Sequence, residues 1–197
     1  MSPSSTVVGA LLAGGAGSRF AGSTHKLLAP LGMCTVWEQS LHNLRASAIE
    51  CIVVVTGAEH LPIPRDERTH VVHNEHWEQG QSTSLRAAID FAEQVNATAL
   101  VVGLADQPGI SPEAWNRVAA ATCDLATAEY DGTFAHPVRL SRSYWNDIPR
   151  TGDLGARTVL STYAHLVERI PCPGSPLDID TTEDLEQWLK QSPTNSP

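Results

Sequence analysis

At 197 residues, with 42% hydrophobic and 18% charged side chains, the chain is long enough to bury the core of one soluble globular domain. A formal net charge of −9, with 13 Lys and Arg scattered among 22 Asp and Glu, excludes a nucleic-acid or anionic-membrane surface, because either needs a basic stripe. An anionic ligand is then held locally, by a few cations and a metal. Cys34, Cys51, Cys123 and Cys172 form no Cys-x-x-Cys pair, which points away from a zinc site and from a disulfide framework. The opening Met-Ser-Pro-Ser-Ser has no basic segment leading into an apolar one, and no run reaches bilayer length, so a cytoplasmic location is expected.

Residues 7–12 read as a buried strand, short, continuous and apolar. The strand runs into Leu12-Ala13-Gly14-Gly15-Ala16-Gly17-Ser18-Arg19, with Lys26 seven residues beyond Arg19. Glycines let main-chain N–H groups approach phosphate oxygens, and Arg19 and Lys26 add charge that the loop lacks. This loop is a candidate polyphosphate cradle, although an ordinary glycine-rich turn with surface cations has the same pattern. It is neither a P-loop, since Ser18-Arg19 follows Gly17, nor a dinucleotide fingerprint, since Phe20 stands where a third small residue belongs.

Thr35 and Glu38 form a capping box that opens a helix with Trp37, Leu41, Leu44 and Ala48 on one face. Cys51–Thr56 then completes a βαβ unit. A strand through His70 enters a loop, a helix from about Ser84 turns Leu85, Ala88, Ile89 and Ala92 inward, and Ala99–Leu104 is a third buried strand. Ser111-Pro112 opens another helix. Beyond it come a hairpin at Asp131-Gly132, a run over 136–140, two short helices, a strand over 166–170 and a helix over 181–189. The alternation predicts a single-domain α/β fold with an open, mostly parallel, doubly wound, Rossmann-like sheet over 1–190, and a frayed tail at 191–197.

In such sheets ligands sit beyond the carboxyl ends of the strands. Asp106 stands there, in Leu104-Ala105-Asp106-Gln107-Pro108. Asp178 and Asp180 alternate with Leu177 and Ile179, so an extended segment presents both carboxylates on one face. Paired carboxylates suit magnesium, a hard ion that takes oxygen ligands and bridges to phosphates, while turn formation and helix capping are the plainer uses of the same residues.

Six segments resemble, in order, the MobA-like nucleotidyltransferases, and among them the molybdenum cofactor cytidylyltransferases. They are Gly14 to Lys26 with Leu27-Leu28-Ala29-Pro30-Leu31, Asn74 to Gly80 with Ser84-Leu85, Asp106-Gln107-Pro108, His136-Pro137-Val138, Gly152 to Arg157, and Asp178 to Leu185. The resemblance implies nucleotidyl transfer from an NTP, CTP or GTP, to a phosphorylated small-molecule acceptor, with magnesium as cofactor. It adds a molybdoenzyme or its maturation factor as an expected partner, and gives no role to nucleic acid or membrane. It divides the domain into a nucleotide-binding half, about 6–110, and an acceptor-binding half, about 111–190. By position, Arg19 and Lys26 would hold the triphosphate and act in catalysis with Asp106. Leu12, Ala13, Gly14, Gly15, Gly17 and Ser18 would line the nucleotide, with Gly14 and Gly15 at the base, and Asn74, Gly80 and Ser84 would line the nucleoside. His136, Asp153 and Arg157 would meet the acceptor, and Asp106 with Asp178 or Asp180 the metal. The chain departs from the family pattern at His25, where an acidic residue usually precedes the lysine, in a loop two residues longer, at Gly14, where cytidylyltransferases usually carry alanine, and at Ala135, where glycine is usual.

Overall fold

The computed structural model describes residues 6–22 and 24–191, the last by its backbone. In chain order the elements are β1 (Val7–Ala13), β2 (Pro30–Leu31), β3 (Cys34–Thr35), α1 (Val36–Arg45), β4 (Cys51–Thr56), β5 (Thr69–His73), α2 (Gln81–Gln94), β6 (Ala99–Leu104), α3 (Pro112–Ala120), β7 (Leu125–Tyr130), β8 (Thr133–Ser141), α4 (Ala156–Thr162), β9 (Val167–Pro171) and α5 (Thr182–Gln191). Seven strands form one sheet in the order β5-β4-β1-β6-β8-β7-β9. β1 lies between β4 and β6 and runs parallel to both, β5 is parallel to β4, and β9 is parallel to β7. Only β8 opposes its neighbours, β6 and β7, so the sheet is mostly parallel and open, as its sequence predicts.

Period-two geometry sorts the apolar strand residues onto two faces. Leu11 and Ala13 of β1, Ile52 and Val54 of β4 and Val101 of β6 pack with Trp37, Leu41 and Leu44 of α1, Trp115 and Val118 of α3, and Leu185 and Trp188 of α5. Val8, Ala10 and Leu12, Val53 and Val55, and Val102 face the other way, onto Leu85, Ala88 and Ile89 of α2 and Val159 of α4. Because α1 and α2 lie on opposite faces, the sheet is doubly wound, and a strand buried on both sides reads as one continuous apolar run.

Several boundaries differ from expectation for identifiable reasons. α1 ends at Arg45, so Ala48 lies outside it, exposed, and Ile49 takes the core position. α2 opens at Gln81 rather than near Ser84, because Gly80 caps it with φ +102°, a backbone state whose helix-starting role composition does not announce. Residues 30–35 form a small hairpin, β2–β3, that periodicity over two-residue strands cannot show. The strand over 136–140 extends to Thr133–Ser141, and Arg139 within it is buried, donating to the carbonyls of Cys123 and Ala119 at 3.1 and 3.0 Å. It is therefore a structural arginine that ties β8 to the end of α3 and the chain before β7. Gln191, expected in the frayed tail, is the last residue of α5; the rest of that tail, 192–197, lies outside the described residues.

Gly103 in β6 sits beneath the Trp115 indole, where an added Cβ would come within 2.6 Å of two ring carbons. Trp115 is 1% exposed and cannot withdraw. Gly103→Ala is therefore expected to lower unfolding stability by about 1–3 kcal/mol through overpacking, read as a shift in the urea midpoint at unchanged slope.

Candidate active site

The glycine loop leaves β1 over a main-chain junction. The Gly14 carbonyl accepts from the N–H of Ala58 at 3.2 Å, and a Cβ at Gly57 would lie 2.6 Å from Gly14 O and 2.7 Å from Trp77 Cβ. A Cβ at Gly14 would in turn meet Ser84 Oγ at 2.8 Å. Ser84 is fixed there, because its Oγ accepts from Asn74 Nδ2 at 3.0 Å. Asn74 also donates to Thr83 Oγ1 at 2.8 Å and accepts from the His76 N–H at 3.0 Å, so it braces the nucleoside segment from behind. An alanine at position 14 would therefore press on Ser84, a packing reason for the glycine found there. Gly15, by contrast, faces open space.

His25 closes the far side of the loop. The Leu27 N–H donates to its Nδ1 at 3.3 Å, which leaves Nε2 to carry the proton and donate to the Gly15 carbonyl at 3.0 Å. Gly17, with φ +61°, passes directly under this ring. The imidazole bridges the loop's two ends, a task the shorter and acidic family pattern does not require of that position. Ser18 is exposed on the outer turn.

Lys26 holds the centre of the site. Its Nζ donates to Asp106 Oδ2 at 2.5 Å and to Asp180 Oδ1 at 2.7 Å, while Arg19 pairs with Asp180 Oδ2 at 2.8 Å. The ammonium is buried, and burial would lower its pKa, but Asp106 and Asp180 together outweigh that and raise it. Asp106 reaches the site from the end of β6. Asp180 is delivered by a chain segment hydrogen-bonded alongside: Ser175 N–H to Gly109 O at 2.9 Å, Gln107 Nε2 to Pro176 O at 3.0 Å, and Ile179 N–H to Asp106 O at 2.9 Å. Asp178, on the same segment, is pushed up to about 6 by partial burial and by the charges of Asp106 and Asp180.

Among the described residues no three His, Cys, Asp or Glu side chains are grouped as a formed metal site. The donors nevertheless fit a hard divalent cation in kind. Two carboxylates share a single lysine, and Asp106 keeps a buried oxygen, Oδ1, with no hydrogen-bond partner.

Two cavities meet at this cluster. The first, of about 270 Å³, is walled by Leu12, Ala13, Gly14, Gly15, Lys26, Gly80, Ser84, Asp106 and Asp153, together with Trp77 and Glu78 of the Asn74–Gly80 segment and with Gln81, which sequence reasoning missed. Asn74, Gly17, Ser18 and Arg19 are not in its wall. The second, of about 730 Å³, holds His136, Arg157 and Asp178 along with Gln107, Phe134 and Arg169. Phe134 lies under the Arg169 guanidinium at 4.1 Å, a stack whose partners come from β8 and β9 and have no local sequence signal. His136 is half-exposed to this cavity yet surrounded by protein, and burial and then Arg157 push its pKa down to about 4.

A glycine loop at the end of β1, cations set against carboxylates at the end of β6, and an adjoining second cavity define an α/β protein that handles a nucleotide phosphate beside a second ligand. The chain belongs to the MobA-like NTP transferase domain family, whose profile matches residues 9–168. It is therefore of nucleotidyltransferase type. It is 28% identical to purine catabolism protein PucB of Bacillus subtilis, over 91% of this chain and 94% of that protein. It is 29% identical to nicotine blue oxidoreductase of Paenarthrobacter nicotinovorans, over 93% of this chain and 96% of that one. Among solved structures, Rv0371c of Mycobacterium tuberculosis superposes with a TM-score of 0.80 at 26% identity, covering 96% of this chain and all of that one.

The environment of His136 has a consequence in acid. The unfolded chain takes up this proton near the ordinary histidine value of about 6.5, whereas the folded one waits until about 4, so stability drains away as pH falls through that window. After allowance for solvent reaching the ring, the loss is up to about 2 kcal/mol. His136→Asn should flatten the dependence between those limits, measured as the difference between mutant and wild-type urea midpoints across pH.

Proposed function

We propose that this chain is a magnesium-dependent nucleotidyltransferase that moves a nucleoside monophosphate, CMP before GMP, from an NTP to the phosphate of molybdopterin or molybdenum cofactor, releasing pyrophosphate. The observation that carries this reading is the clasp of Lys26 and Arg19 on Asp106 and Asp180, at the foot of the glycine loop and between two cavities. Rv0371c has been solved in complex with manganese at 26% identity, which supports a divalent ion here. The motif resemblance to molybdenum cofactor cytidylyltransferases supports the acceptor. Gly14, being explained by Ser84, leaves the base preference with that resemblance instead of moving it toward GTP.

The chemistry asks little proton transfer of the protein. A phosphate monoester is largely dianionic near neutral pH, so no base is needed to create the nucleophile, and the tasks are alignment and charge neutralisation. Arg19, with a side chain 76% exposed, is free to exchange Asp180 for a phosphate oxygen, and Lys26 supplies the second cation. Asp106 with Asp178 or Asp180 would hold the metal, which when bound neutralises triphosphate charge and orients it. The second cavity, with Arg157, Arg169 and Phe134 in its wall, suits an acceptor that joins a phosphate to a flat ring body.

Asp106→Asn keeps the shape of the side chain and removes its charge. Pyrophosphate release is expected to fall by a hundredfold or more, on the order of 3 kcal/mol in the transition state, and manganese binding measured calorimetrically to weaken with it. Near-normal turnover in this variant would remove Asp106 from catalysis, while absence of pyrophosphate release from wild-type protein with any NTP would favour a binding-only maturation role or the oxidoreductase activity in one relative's name.

Competition between CTP and GTP tests the base. The expected preference for CTP is modest, roughly 1–3 kcal/mol in kcat/KM, the scale of one buried base-edge hydrogen bond. A clear preference for GTP would make the enzyme a guanylyltransferase, and turnover of both with a different sugar or alcohol phosphate would change the acceptor.

A further inference from the structure

Gln81 and Leu104 are the two residues that line both cavities. The Leu104 carbonyl already accepts from the Gln107 N–H, and its side chain is apolar. Gln81 is half-buried, and among the described residues its carboxamide has no hydrogen-bond partner. A polar side chain with nothing to bond, set at the boundary between a nucleotide cavity and an acceptor cavity, is free to bond what crosses that boundary.

The surrounding backbone fixes its place. Ser82 N–H donates to Gly152 O at 2.9 Å, Gly152 N–H to Gln79 O at 2.7 Å, and Gly155 N–H to Ser82 Oγ at 3.1 Å, so residues 79–82 and 152–155 are stitched together. At Gly155, with φ +49°, a Cβ would stand 3.0 Å from Gln81 Oε1, and at Gly80, with φ +102°, a Cβ would strike the Gly152 carbonyl carbon at 2.4 Å. Both glycines let the strands of this seam close until the Gln81 side chain is confined between the cavities.

Resting on the transfer reading above, we propose that Gln81 is a further catalytic residue, whose carboxamide hydrogen-bonds the acceptor phosphate and aligns it with the α-phosphate of the NTP. In the step it serves, an acceptor phosphate oxygen forms a bond to the α-phosphorus as the bond from that phosphorus to the bridging oxygen of the β-phosphate breaks. Pyrophosphate leaves with that electron pair, and no redox partner is required. An amide suits this place better than a cation. It orients the attacking oxygen without withdrawing the negative charge that makes it a nucleophile, while Lys26 and Arg19 remain on the triphosphate side.

Gln81→Leu removes the amide at similar size, and Gln81→Glu replaces it with a charge that repels both phosphates. Each variant is first checked for a wild-type thermal transition. Calorimetry then measures a non-hydrolysable CTP analogue with magnesium, followed by inorganic phosphate, as probe of the acceptor phosphate, on the analogue-loaded protein. The expected result is an unchanged affinity for the analogue in Gln81→Leu, phosphate binding weaker by about tenfold in Gln81→Leu and further in Gln81→Glu, and kcat for pyrophosphate release lowered in the same order. Equal loss of analogue affinity in Gln81→Leu would place Gln81 in nucleotide binding, and wild-type phosphate binding and kcat in the same variant would leave it without a role; either overturns the proposal. Wild-type protein that binds no nucleotide overturns the transfer reading itself, and is seen before any variant is compared.

Discussion

The Lys26 ammonium, shared between Asp106 and Asp180, is the contact on which the organisation of the site depends. It joins residues 80 and 154 positions apart in the chain, and so ties the loop after β1, the end of β6 and the approach to α5 into one cluster. Its value is not mainly energetic, since moving charges out of water costs several kcal/mol per ion and the attraction between them recovers that only in part. What the lysine does is hold Asp106 and Asp180 together beside Asp178, a grouping that would otherwise repel itself. The raised pKa of Asp178 records its partial burial first and then the repulsion that remains.

The sheet explains how such distant residues converge. Parallel strands bring their carboxyl ends to one edge, so the residues after β1, β4 and β6 meet without contact in sequence. β7 runs toward the same edge, the antiparallel β8 turns back from it, and β9 returns toward it. The approach to α5 crosses that edge as an extended segment bonded along residues 106–110. Asp180 is positioned by main-chain hydrogen bonds before its side chain meets Lys26, and Ile179, 1% exposed, anchors the segment in the core. Leu177, on the same strip, is 49% exposed and lines the second cavity.

Much of this was legible in the residues. The strands Cys51–Thr56 and Ala99–Leu104 have the bounds their apolar runs announce, because central parallel strands are buried on both faces. The Ser111-Pro112 start of α3 and the Thr35–Glu38 box of α1 were readable as local chemistry that folding does not override. Lys26, Asp106 and Asp180 were singled out individually; that the lysine lies between the two aspartates was not, because charge pairing across 154 positions has no signature in spacing. That Trp77, Glu78 and Gln81 line the cavity has no signature in spacing either, although the first two stand in the Asn74–Gly80 segment. A short helical turn at 77–79 and a cap at Gly80 aim them into the cavity, and nothing in their residue types distinguishes a wall from a surface. Asn74 shows the reverse, a residue named with the nucleoside segment that acts by bracing Ser84 and Thr83 from behind.

The seam between residues 79–82 and 152–155 is fastened largely by peptide groups, and where side-chain size matters the positions are glycine. A joint of this kind is indifferent to most side chains on either flank. Exposed side chains in the wall of the larger cavity, such as Phe134 and Arg169, can therefore vary without loosening the seam, since neither fastens it. Such an architecture separates a seam that tolerates little change at its glycines from a cavity wall that is free to change.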